Sequence, residues 1–575
     1  MRKLLIGVAA VIVLVAIAVP ILFWILLDED RLRARATEYV RAQTGRELRI
    51  EGPIDLAFFP WLGAELKGVS IGEPGQTGGD PLARFGEIGL KVKLLPLLRS
   101  REIEVGGIRG SGGTLRTAGY ELRDLSVSTA AFGGSAPTDV SLRFNLAPSG
   151  AATTTPVSLD GRMVFDIARQ ALDLSDVNGS IGEMSFTAAL RGTRVLEAPE
   201  FEGRVESQRF DLRKLLAQTG TPYVPAGANA MTSASLSAQL ATSAAAMRLD
   251  NLVFLLDGSR ITGSATMKRG PRPEWDAAVQ VDSLDVDRYL PGTQAAPSEP
   301  AAADPYAALR ELTGRARLQV RALRAFGLQL TNVSATLAAR NGMITVTPIR
   351  AALYSGAGEL SGQMDARHRA PAYRVEGRLS RVSFQPLLTD AQSITALSGT
   401  GDVSIRLEAA GADPARIMES VDGRVAMTVS DGRIEGADFL RMLARARSMA
   451  DQIRGRPAAV EADPADRTKF TRLTGTGSIE NGVLRTDDLV LVAPDLEAAG
   501  EGTIDLARDQ IQMVLRARSD QAGNVAVPIA ISGPFNAPSY QVQAGALLRD
   551  AAKEELKKRL ERGLRGLIKK PIGDR

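Results

Sequence analysis

The sequence predicts a mostly β protein on an N-terminal membrane tether, and three observations carry that reading. Residues Leu4 to Leu27 form an uncharged apolar run between Arg2-Lys3 and Asp28-Glu29-Asp30. Beyond Gly45, short alternating or β-branched runs are punctuated by Gly, Asn-Gly and Asp-Gly, the signature of hairpins. Segments far apart in the chain also repeat one another.

The apolar run is long enough to cross a bilayer: its 24 residues give roughly 36 Å of helix against a hydrocarbon core of about 30 Å. Ala16-Ile17-Ala18 has the small-x-small form of a signal-peptide cleavage site, but the apolar run continues past it to Leu27, which favours an uncleaved transmembrane anchor. Orientation is not settled by charge counting, because Arg31, Arg33 and Arg35 beyond the span oppose Arg2 and Lys3 before it. A tail of three residues ahead of a signal-like run ordinarily stays inside while the large domain is exported. The expected location is therefore a bacterial inner membrane, single-pass, with the bulk of the chain in the periplasm.

Residues 30–44 read as a short amphipathic helix with Leu32, Ala36, Tyr39 and Val40 on one face. Strand runs follow, among them Met343 to Thr347, Gly423 to Val429 and Gln510 to Arg516, with Asn341-Gly342 and Asp431-Gly432 as hairpin signals. Asp250 to Met267 aligns without gaps on Asp487 to Ile504, and Tyr354 to Gly362 is a weaker echo. Each repeat reads as a few strands that bury an apolar face only against their neighbours. Helices are expected at Asp438 to Arg447, opened by an N-cap aspartate, and as a few turns at Phe210 to Gln218 and Tyr306 to Leu312. Residues 291–305 and 456–466 read as flexible stretches. At the C-terminus, Leu556, Leu560, Leu564 and Leu567 make an apolar stripe beside Lys553, Lys557, Lys558, Arg559, Arg562, Arg565, Lys569 and Lys570. That basic helix suits an anionic membrane surface or a partner. It suits equally a solvated helix capping the last sheet edge.

Composition removes most chemistries. The chain of 575 residues has no cysteine and one histidine, His368, in an Arg-rich turn ahead of a proline. Thiolate nucleophiles, disulfides and iron–sulfur clusters are excluded, and a histidine relay or cluster has one residue to draw on. A net charge of +4 on this length gives no reason to expect nucleic-acid binding. Ser398-Gly399-Thr400-Gly401-Asp402 lacks the lysine of a phosphate-binding loop. Asp487 and Asp488, adjacent in a strand, are expected on opposite faces and so form no acid–base dyad. The expectation is of no enzyme and no cofactor.

Several segments carry a family resemblance. Thr44 to Ile54, Phe59 to Gly72 and Gly89 to Leu98 form an ordered set near the N-terminus. Pro386 to Asp390, Leu397 to Gly401, Val421 to Arg424, Asp431 to Phe439 and Val527 to Pro538 follow near the C-terminus. In this order, behind an anchor, they resemble the AsmA family of inner-membrane-anchored periplasmic proteins of Gram-negative bacteria. The resemblance implies a long curved antiparallel sheet forming an apolar groove, akin to chorein-type bridge-like lipid-transfer proteins. It also implies phospholipid transport toward the outer membrane, or a role in outer-membrane protein assembly without lipid carriage. Periodicity alone leaves an open groove and closed sandwiches equally open; the resemblance favours the groove. Expected partners are phospholipids and the inner membrane through Leu4–Leu27, with room for an outer-membrane or periplasmic protein.

The organisation that follows is an anchor over residues 1–30 and an N-terminal AsmA-like β region over 31–130. A divergent repetitive β region covers 131–380, a C-terminal AsmA-like β region 381–545 and the basic helix 546–575. With 25–30 strands at ~4.8 Å spacing the sheet would reach about 120–145 Å. Candidate groove-lining residues are Ile344, Val346, Ile511, Met513 and Leu515.

Overall fold

The computed structural model describes residues 29–44, 47–57, 61–72, 81–93, 105–117, 119–132, 136–166, 168–292, 306–392, 394–452, 467–519 and 526–543. The apolar run Leu4–Leu27, most of the stretch 291–305, all of 456–466 and the basic C-terminal helix lie outside them. Among the described residues no helix is long and apolar enough to cross a membrane. Those residues form twenty-eight strands and a few helices. They fall into two compact units, residues 1–282 with 288–300 and residues 283–287 with 301–575.

In the first unit the strands run in sequence order from Leu48–Ile50 to Glu274–Asp285, and every pairing is antiparallel. Its edge is split. Leu48–Ile50 and Ile54–Ala57 both pair with Trp61–Ile71, one on each half. The break falls at Gly52-Pro53, where a Cβ on Gly52 would stand 2.6 Å from the Lys67 carbonyl oxygen, so only glycine fits. The predicted first helix is Glu29–Thr44. It sits on this edge: Thr37 Oγ1 donates to the Leu48 carbonyl at 3.1 Å and Arg33 Nη2 to the Gly52 carbonyl at 3.0 Å. Val40 is buried there with Ile50, Val69, Phe85 and Leu122.

The second unit repeats the plan from Thr313–Ala325 to Ser539–Val542, again antiparallel between sequence neighbours. No pairing among the described residues joins its first strand to its last, so the sheet is open. Three predicted helices take form: Leu212–Gln218, in the first unit, then Ala307–Glu311 and Phe439–Gln452 in the second. Asp438 is the N-cap of the last, accepting from the Arg441 N–H at 3.0 Å. Two short helices escaped the sequence reading, Phe384–Gln392 and Pro414–Glu419.

The hairpin signals divide. At Asn341-Gly342 and Asn481-Gly482 both residues have positive φ, 50° and 80° in one case, 50° and 76° in the other, and both pairs are tight turns. Asp431-Gly432 is not a turn. It lies inside the strand Asp422–Glu435, where Asp431 at φ 50° marks a bulge against Leu397–Ala410. An Asx-Gly pair serves either purpose, since both need the left-handed conformation.

The internal repetition is structural. The hairpin Ala246–Leu256/Ser259–Lys268 has a register step between Leu249 and Leu252. Val483–Ala493/Leu496–Asp505 has one between Thr486 and Leu489, and Met343–Leu353/Gly356–Asp365 has one between Val346 and Ile349. Counted from the tip, all three steps occupy the same place. The expectation that Asp487 and Asp488 face opposite ways fails here. Alternation is interrupted at this bulge, and both carboxylates are exposed on the polar side. Asp488 accepts from the Thr476 N–H and hydroxyl, each at 2.7 Å.

Candidate functional site

In an antiparallel sheet, residues directly opposite each other share a face. Following opposite residues across the second unit gives one row: Val346, Gly362, Val375, Leu407, Gly423, Ile479, Leu484, Ile504, Ile511 and Gly533. It crosses ten strands without a polar side chain. At ~4.8 Å per strand the row is roughly 43 Å long. A parallel row contains Leu360, Gly377, Ile405, Val425 and Gly477. Large side chains lie across neighbouring glycines: a Cβ on Gly477 would stand 2.4 Å from Leu484 Cδ1, and one on Gly377 2.9 Å from Leu360 Cδ1. The apolar layer is therefore one side chain thick and has few gaps.

What covers this face differs along the strands. Towards one end, the helix Phe439–Gln452 places Phe439, Met442 and Leu443 against Val429, Leu473, Leu491 and Ile529, and all of these are buried. Away from the helix, Val346, Val375, Leu407, Val425, Leu484 and Ile511 are only half-buried. Strand contacts within the unit run between sequence neighbours, and no second sheet packs on the face among the described residues.

The sequence candidates fall into place accordingly. Val346 and Ile511 share the long row. Ile344 lies one row away, opposite Met364, and Met513 lies opposite Gly502 and Ile531. All four are half-buried. Leu515 is different: it is 2% exposed and belongs to the packed cluster with Phe439 and Leu443. The basic residues Lys553, Lys557, Lys558, Arg562, Arg565, Lys569 and Lys570 lie outside the described residues. His368 is exposed in its turn.

The opposite face is charged. Cross-strand ion pairs stud it: Arg374–Glu408 at 2.8 Å, Arg406–Glu376 at 2.9 Å, Arg516–Glu501 at 2.7 Å and Arg350–Glu359 at 3.0 Å. The Glu501 carboxyl is held below its ordinary value, first by the hydrogen bond from Arg516 and then by its charge. Exposed pairs of this kind each contribute about 0–1 kcal/mol, so they dress the sheet more than they hold it. The face as a whole offers an apolar floor on one side and a wet, charged back on the other.

The sequence matches the model of the AsmA family over residues 1–118 and 204–489, well over half of the chain. It is also 23% identical to Protein AsmA of Escherichia coli (strain K12), an alignment covering 93% of this chain and 92% of that protein. The match extends over the N-terminal edge and over the strands that carry most of the apolar row. The chain belongs to the AsmA family.

Proposed function

We propose that the apolar face is a phospholipid-binding groove and that the protein, tethered to the bacterial inner membrane through Leu4–Leu27, supports phospholipid transport through the periplasm toward the outer membrane. One observation carries the reading: an apolar row ten strands wide that is left half-buried away from the helix Phe439–Gln452. An apolar surface of this size on a soluble face is an occupied or interacting surface. Acyl chains fit it by chemistry, since burial of each methylene is worth ~0.8 kcal/mol and neither a nucleophile nor a cofactor is needed. Family membership and the N-terminal apolar run support the same envelope setting.

The test is photocrosslinking at neighbouring positions. Benzoylphenylalanine placed at Leu407, on the apolar row, should capture phospholipid in cells, whereas at Arg406, on the charged back, it should not. Lipid extracted from the purified full chain should fall when Met513 or Val425 is replaced by aspartate in a protein that still folds. No adduct at Leu407, or equal adducts at both positions, sinks the groove and leaves a periplasmic assembly scaffold as the better reading.

A further inference from the structure

The charged back of the second unit carries a recess of about 840 Å³ that the lipid reading does not use. Its floor is made of small residues, Ser404, Ala426 and Thr476, which lie opposite one another on three consecutive strands. Arginines surround that floor. Arg406 and Arg424 are directly opposed on neighbouring strands, Ser478 follows, and Arg485 lies opposite Ser478; Arg378 stands opposite Ser404 on the other side.

Like charges directly opposed in a sheet destabilise it, so an Arg406–Arg424 pair calls for a counter-charge. The protein supplies only part of one. Glu376 takes Arg406 at 2.9 Å, and Asp487 stands on the rim. The next row along the strands is acidic, but Glu408 is engaged by Arg374 at 2.8 Å and Asp422 accepts the Asn481 N–H at 2.8 Å. Asp488 lies against the floor, where it accepts from the Thr476 N–H and hydroxyl. The side chains of Arg378, Arg424 and Arg485 have neither an ion pair nor a hydrogen bond among the described residues. Three guanidiniums without an ion pair therefore stand around a floor too small to fill the space.

We propose that this recess is an anion site that takes a phosphate monoester or diphosphate dianion. Guanidinium forks match phosphoryl oxygens in geometry, and three unpaired forks suit the several free oxygens of a monoester or diphosphate better than the two of a phosphodiester headgroup. The site stands on the polar side and is independent of the groove: either can be wrong without the other.

Calorimetric titration of the full-length chain in detergent with inorganic pyrophosphate tests it. Saturable binding is expected, weakened at least 10-fold in R424Q/R485Q and unchanged in R516Q, which alters an arginine on the same face that is already paired with Glu501. The melting temperature gives a second readout with the opposite sign. Without ligand the double variant should melt no lower than wild type, because a like-charge contact is removed, while pyrophosphate should raise the wild-type value only. Binding that sodium chloride at equal ionic strength abolishes, or that R516Q loses as much as R424Q/R485Q, overturns the proposal. So does binding to phosphatidylglycerol vesicles with none to pyrophosphate.

Discussion

Leu407 and Leu491 point to the same side of the second unit's sheet, yet alanine at the two positions should differ sharply. Leu491 is 0% exposed and packs in the cluster with Phe439 and Met442. Truncation there leaves a closed void and should cost about 3–4 kcal/mol. Leu407 is half-buried with no layer above it. Losing three carbons that are about half removed from water costs about 1 kcal/mol, at ~0.8 kcal/mol per methylene, with no cavity term. The gap of about 2–3 kcal/mol should appear as a roughly 30- to 150-fold difference in amide exchange acceleration, read on the strands Val483–Ala493 and Leu397–Ala410 of delipidated protein. Hydrogen exchange is the proper assay. Residues 283–575 contain no tryptophan, so intrinsic tryptophan fluorescence is blind to this region. Equal acceleration in the two variants would refute the reasoning, because it would mean that the face at Leu407 is packed as a core.

Three further outcomes are expected. Burial pushes the Tyr540 phenol up to about 12, so the unfolded chain ionises first as pH rises past ~10; stability should fall between pH 10 and 12 and fall less in Tyr540→Phe, as measured by urea midpoints from circular dichroism. Hydrogen bonds from the Thr476 hydroxyl and N–H hold the Asp488 carboxyl below its ordinary value, a contribution present above pH ~4 and lost as pH falls through the lower folded value, so the stability gap between wild type and Asp488→Asn should narrow in acid. A Cβ at Gly401 would stand 2.1 Å from the Thr428 carbonyl oxygen, whereas at Gly89 the only neighbour within 4 Å among the described residues is Glu65 Cγ at 4.0 Å; Gly401→Ala should lower stability by about 2 kcal/mol or more and Gly89→Ala should be near neutral, with equal losses refuting backbone contact as the cause.

How much was legible in the sequence depended on whether the signal was local. Asp438 and Asp211 each cap a helix that could be read from the chain. Asp413-Pro414 held the same information, an N-cap followed by a proline at the first helical position, but its helix is too short to show apolar periodicity. Phe384–Gln392 carries Pro386 near its start, which reads equally well as a turn. Period-two alternation located the strands and placed Val346 and Ile511 on one face. It failed at Asp431 and at Asp487-Asp488, since a bulge shifts the phase inside a strand and the side-chain pattern alone does not reveal where. The arginine recess was invisible for a different reason. Arg378, Arg406, Arg424 and Arg485 sit on four separate strands, and only the register brings them together.

The shared position of the bulge in three hairpins restricts how such a chain can change length. Deleting one residue at the step, Asp488 for instance, would only flatten the bulge, because Leu484 and Leu489 then stand four apart like their partners Ile504 and Gly500, whereas a one-residue change elsewhere in the strand would turn every side chain beyond it inside out. Loss or gain of a complete hairpin, tip and step together, returns the chain to the same edge running in the same direction with its oily side unchanged. Insertions and deletions among relatives should therefore come as whole hairpins or stay confined to the tips and the step. A protein built this way can be lengthened like a measuring tape, one fold at a time, without redesigning the surface it presents.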